Sequence, residues 1–199
     1  QNEKLHEDFD AIQTLHEILN EDDRHEGALS YLELMFEAGN NIGAIAEITE
    51  PIYRAHNDWN KLIHSLEVRV GAEEDEYAKL QILDEVAVTW LENLNDPSKS
   101  LETYGRMLLI QPSDQNIQKK VESLASKSGE LKVWADLYTK LLDDNRLDDP
   151  NDKRTITLSL AHLLAERMEQ HDRARELCKA LLEEESDEQD AYELLEWSY

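Results

Sequence analysis

Apolar residues recur along the chain at steps of three and four, with no sustained alternation, so the pattern predicts helices and no sheet. A first helix is expected over about 4–19, with Leu5, Phe9, Ile12, Leu15 and Leu19 on one face. A second, about 24–38, carries Ala28, Leu32, Met35 and Phe36, and Gly39-Asn40-Asn41 closes it as a left-handed cap would. A third, about 42–56, carries Ile45, Ile48, Ile52 and Ala55. Pro51 falls inside it, which predicts a kink or break near Thr49-Glu50. Further helices are expected at about 58–71, 76–94, 97–110, 113–127, 130–144, 151–169 and 171–184, with a last one from about 187. Asp96-Pro97 and Asp149-Pro150 each pair a capping carboxylate with Pro at the first helical position. Ser186-Asp187-Glu188-Gln189 reads as a capping box.

The pattern repeats at a spacing of about 75 residues. Trp59-Asn60-Lys61-Leu62 matches Trp134-Ala135-Asp136-Leu137, Ala87 and Leu91 match Ala161 and Ala165, and Ser100, Tyr104 and Leu108 match Ala174, Cys178 and Leu182. Each large unit then holds two helix pairs, and stacking hides the apolar faces that a lone pair leaves open. From about 81 to 112 the residues Ala87, Val88, Leu91, Asn95-Asp96, Ser100, Tyr104, Met107 and Pro112 resemble the tetratricopeptide-repeat pattern. A second stretch, about 155–186, resembles it through Ala161, His162, Ala165, Ala174, Cys178 and Leu181, with Ser186 where the closing Pro would stand. Pro51 to Trp59 is similar to the opening of units in long bacterial arrays of irregular repeats of this type. The resemblance implies an all-α, right-handed α-α superhelix of about 11–12 helices. It also implies one continuous array over 1–199, with large units at roughly 50–127 and 128–199 behind a partial unit 1–49. Such a solenoid binds protein segments in its concave groove.

The charge balance narrows the partners. Lys and Arg number 20 against 45 Asp and Glu, a net charge of −25 that repels nucleic acid and anionic lipid. The first 53 residues hold 13 acids, with only Lys4 and Arg24 as strong bases, whereas Lys119, Lys120, Lys127, Lys132 and Lys140 bring 115–140 near balance. Dense acidic runs stand at Glu21-Asp22-Asp23, Glu73-Glu74-Asp75-Glu76, Asp143-Asp144 with Asp148-Asp149, and Glu183-Glu184-Glu185 with Asp187-Glu188. All four are expected at connections from a second helix to the next first helix, stacked into one negative ridge. That ridge either serves solubility and helix N-termini or steers a basic partner. No apolar run is long enough for a membrane span. The lone Cys178, among Leu177, Leu181 and Leu182, reads as core and suits a reducing compartment such as the cytoplasm. The termini read as those of a fragment, with Trp197 and Tyr199 in a last helix whose missing neighbour could permit self-association.

Catalytic signatures are missing from the sequence. There is no Gly-rich phosphate loop, no nucleophile elbow, no His-Glu-x-x-His pair and no EF-hand spacing, so neither an enzyme nor a cofactor or metal site is expected. Trp59, Trp90 and Trp134 read as packing residues. Helical phase instead marks a polar stripe of Thr155, Ser159, His162 and Glu166, its repeat equivalents Gln81, Glu85, Val88 and Glu92, and a similar stripe of Asn116, Lys120, Ser123 and Lys127 between them. These twelve are the expected groove. Glu85, Glu92 and Glu166 argue against a clamp for a peptide carboxylate. The expected function is a scaffold or adaptor that binds a protein segment; the alternative is a structural spacer of a larger envelope or secretion protein with an idle groove.

Overall fold

The computed structural model describes the backbone of residues 2–144, 147, 149–184 and 189–197, and the side chains of these from residue 8 onward except 184 and 197. Among them every regular element is helical, with no strand: α1 (Asn2–Glu21), α2 (Glu26–Glu37), α3 (Ile42–His56), α4 (Trp59–Ala72), α5 (Glu76–Val88), α6 (Pro97–Ile110), α7 (Gln115–Ser128), α8 (Leu131–Asp143), α9 (Pro150–His162), α10 (His171–Glu184) and α11 (Gln189–Trp197). α5 and α9 run on into π-helical turns, Thr89–Asn93 and Leu163–Arg167.

Short polar side chains set the starts. The carboxylates of Asp75, Asp96, Asp114 and Asp149 accept from the amides of Ala78, Lys99, Ile117 and Asn151. Gly39 and Gly129, at φ 77° and 82°, close α2 and α7 in the left-handed conformation that a side chain disfavours. α3 runs through Pro51 without a break. The missing Pro51 N–H removes one bond to the Glu47 carbonyl, which a single turn tolerates when the flanking apolar faces are packed. The capping box at Ser186–Glu188 lies outside the described residues.

The chain forms two compact units, Gln1–Thr89 and Trp90–Tyr199. In the first, each helix packs on the next and α1 also meets α3. The core gathers Ile12, Leu19, Ala28, Leu32, Met35, Phe36, Ile45 and Ala46, with Leu15, Ile48 and Ile52 against it. Phe9 is 57% exposed, against expectation. The 20 residues of α1 span about 30 Å and the 12 of α2 about 18 Å, so the Phe9 end overhangs its neighbour. Ala55 is also exposed, because Ile45, Thr49 and Tyr53, four apart, are the buried row of α3. In the second unit α6 packs on α7 and α8, and α9 packs on α8, α10 and α11. Its core includes Leu101, Tyr104, Leu108, Val121, Trp134, Tyr138, Leu160, Leu164 and Cys178. Trp90 is only half-buried, with the Lys99 ammonium 4.0 Å from its ring centroid.

The repeat is visible in the caps. Helices α5 and α9 start at residues 76 and 150, α6 and α10 at 97 and 171, and α7 and α11 at 115 and 189, each pair 74 positions apart. The π turns obey the same spacing. So do the left-handed residues behind them, Asn95 and Glu169, and the closing bonds, Asp96 N–H to Trp90 O and Gln170 N–H to Leu164 O, both 2.8 Å. The equivalence of Trp59 with Trp134 does not hold. The left-handed residues Asn57 and Gly129, which end α3 and α7, are 72 apart and align Trp134 with Leu62; the longer α8–α9 connection restores 74.

The expected single acidic ridge also needs correction. Glu21-Asp22-Asp23 joins α1 to α2, whereas Glu73 to Glu76 joins α4 to α5. Helices joined by short connections alternate in direction, so these two runs of the first unit stand at opposite ends of its helices. In the second unit Asp143, Asp144 and Asp149, between α8 and α9, share an end with Glu183, at the close of α10. Asp148, Glu185, Asp187 and Glu188, and the side chains of Glu184, Trp197 and Tyr199, lie outside the described residues.

Candidate functional site

The polar stripe of α9 forms one wall of an open cavity of about 590 Å³ in the second unit. Arg154, Thr155, Ser159 and His162 project from α9, and Glu166 and Arg167 follow from the π turn. Glu122 of α7, Trp134 of α8 and Asp190 of α11 complete it, so three odd-numbered helices, α7, α9 and α11, meet around one space. Thr155 and His162 are exposed and Ser159 is half-buried.

Internal bonds hold most of these groups in place. Thr155 Oγ1 donates to the Asn151 carbonyl at 2.8 Å and keeps its lone pairs for a ligand. The Nδ1 of His162 lies 3.0 Å from Glu166 Oε1, one helical turn on. The fully buried Tyr138 hydroxyl donates to Glu122 Oε1 at 3.0 Å, and Arg167 reaches Ser126 Oγ of α7 at 3.4 Å. Burial first, and the Glu122 carboxylate second, push the Tyr138 phenol far above its ordinary value, so it stays a donor. Trp134 stands edge-on to Tyr138, ring centroids 5.9 Å apart, with its indole Nε1–H buried. Carboxylates, guanidinium groups and hydroxyls thus surround an apolar floor of Trp134, Leu158 and Leu163. The arrangement can pair with both the backbone and the charged side chains of a polypeptide. Among the described residues no three His, Cys, Asp or Glu side chains converge as metal ligands.

The other expected groove residues lie elsewhere. Lys120, Ser123 and Lys127 line a different cavity of the second unit, also about 590 Å³, with Lys119, Tyr104 and Leu91. There the Lys120 ammonium sits 4.8 Å from the Tyr104 ring centroid. Glu122 faces α9 while Lys120 and Ser123 face α6, so α7 divides the two stripes rather than joining them. Asn116 is exposed and lines neither cavity. Gln81, Glu85 and Val88 belong to the first unit, where Glu85 accepts from Arg54 Nε at 3.1 Å. Glu92 is exposed on the first π turn.

Helical phase gave no hint of a cavity of about 610 Å³ in the first unit, between α2, α3 and α4. Its one signal in the sequence is Leu34, an apolar residue out of phase with the Leu32, Met35 and Phe36 face of α2. Beside this cavity Glu50 is buried, accepting from Ser65 Oγ at 2.9 Å and from Arg69 Nη1 at 2.9 and 3.1 Å. Glu50 and Glu122, 72 apart like the caps that come after them, thus face the next helix with different donors. No helix among the described residues is long and apolar enough to cross a membrane. No protein-family model matches the chain, and no curated protein matches it either.

Proposed function

We propose that the chain is part of a tetratricopeptide-like array, a right-handed superhelix of stacked helix pairs, and that it binds a protein segment along α7, α9 and α11. The observation that carries this reading is the polar stripe Thr155, Ser159, His162 and Glu166, standing on one wall of a cavity that three odd-numbered helices share. Recurrence of caps, π turns and helix starts at 74 positions supports the array. Groups fixed by Tyr138, Ser126 and helical backbone would lose little freedom on binding, so an extended or helical segment meets a preformed surface. The module acts as an adaptor without chemistry of its own.

The test is a pull-down with the full chain, comparing wild type with His162→Ala, Arg154→Ala and Thr155→Ala, and with Lys120→Ala from the neighbouring cavity. A captured protein should be lost from the first three and kept by Lys120→Ala. Undiminished capture by all three α9 variants would remove the groove from the interface. If the partner is basic and steered by the acidic ends of the helices, its association rate falls steeply with added salt.

A further inference from the structure

The first unit holds a cavity whose lining differs in chemistry from that of the α7–α9–α11 groove. Its cavity is floored by buried Phe36 and Ile45, and one wall is Leu34, which is 69% exposed and turned away from the α2 core. At the rim stands a cation cradle. Glu33 Oε1 accepts from the Tyr53 hydroxyl at 2.9 Å and from Lys61 Nζ at 2.8 Å, and that ammonium lies 5.7 Å from the Tyr53 ring centroid. A second rim carboxylate, Glu37, is met by His64. A carboxylate, a phenol and an aromatic face together make a receptor for an ammonium or guanidinium group. Here the protein's own Lys61 occupies it, on a flexible stem that is 53% exposed.

We propose that this cradle binds a basic, amphipathic peptide segment: a Lys or Arg of the partner displaces Lys61 from Glu33 while a neighbouring Leu, Met or Phe covers Leu34 and fills the cavity. Charge complementarity selects this occupant. Residues 1–89 hold 21 Asp and Glu against 6 Lys and Arg, so the unit attracts cations. A second copy of the chain, at a net charge of −25, is repelled. The volume of about 610 Å³, apolar inside with a few polar groups converging at the rim, is that of a site for one or two side chains. Lys61 is an internal competitor: it keeps the carboxylate paired when no partner is present and makes every incoming cation exchange with it. This surface and the α7–α9–α11 groove share no residue, so either can fail alone.

The experiment measures fluorescence anisotropy of labelled synthetic peptides on the full chain. The probes are a 12-residue Leu/Lys amphipathic helix, the same peptide with Lys replaced by Glu, and the same with Leu replaced by Ser. The Leu/Lys peptide should bind and the other two should not. Lys61→Met, which keeps the stem and removes the competitor, should tighten binding several-fold; Glu33→Gln should weaken it about tenfold or more. Leu34→Ser should weaken it, while Glu74→Gln, an equal charge change on an exposed turn, should leave it unchanged. Circular dichroism checks that each variant is folded. Lys61→Met binding no tighter than wild type, or Glu33→Gln behaving like Glu74→Gln, would overturn the proposal.

Discussion

Removing Arg69 should destabilise the protein more than neutralising the carboxylate it serves. Glu50 has only 6% of its side chain exposed, whereas its partners Arg69 and Arg54 have 34% and 39%. With Arg69→Met, Glu50 keeps Ser65 and a looser Arg54 at 3.5 Å, which is also drawn to Glu85. A buried charge stripped of its main partner costs about 3–5 kcal/mol; the remaining Arg54 lowers that to about 2–4 kcal/mol. With Glu50→Gln, an amide of the same shape still accepts from Ser65, and both guanidinium groups can turn to water. With both guanidinium groups rehydrated, the loss lies at the low end for a hydrogen bond to a charged group, about 1.5–2 kcal/mol. The double variant should be more stable than Arg69→Met alone, because no charge is left buried. Urea unfolding at pH 7, followed by far-UV circular dichroism, gives all three values. Equal costs for the two single variants, or a double variant costing their sum, would refute the reasoning that asymmetric burial decides the penalty.

Other consequences can be measured in the same way. Ser100 is fully buried, its hydroxyl without a partner among the described residues, and its counterpart 74 positions on is the fully buried Ala174, so Ser100→Ala should be neutral or stabilising by about 1 kcal/mol in urea unfolding. Above about pH 10, the ordinary phenol value, the unfolded chain releases protons that buried Tyr138 retains, so stability falls with rising pH. Tyr138→Phe should flatten that decline by about 1.4 kcal/mol per pH unit, and equal slopes would show that the phenol is not held protonated. Burial pushes the Cys178 thiol up, so a thiol reagent at pH 8 should label it only as fast as the protein opens, with the rate rising in sub-denaturing urea.

Features decided within one helix were readable from the sequence. Asp96-Pro97 and Asp149-Pro150 name their caps, and Ile12, Leu19, Leu32 and Ile45 follow from period alone. Features decided between helices were not. Phe9 fits the apolar stripe of α1, but α2 is too short to cover it. The stripe of α9 could be found by phase because its residues share one helix, whereas Lys120 could not be assigned a side, since the rotation of α7 is set by packing. The buried Glu50 and the Glu33 cradle depend on donors 15 to 28 residues away, and no local spacing encodes them. The π turns left no trace either, because i→i+5 bonding has no residue signature of its own.

Those turns bear on how the chain came to be. A π-helical turn accommodates one residue more than the α-helix around it, so it is an insertion absorbed without breaking the rod, and it rotates the downstream residues by about 100° about the axis. Thr89–Asn93 and Leu163–Arg167 share scarcely a side chain, yet each ends an 18-residue helical run in the same way. Two matching turns at one spacing are what a copied unit leaves behind when the extra residue is already present before the copy. Backbone shape has then outlasted the letters that once wrote it.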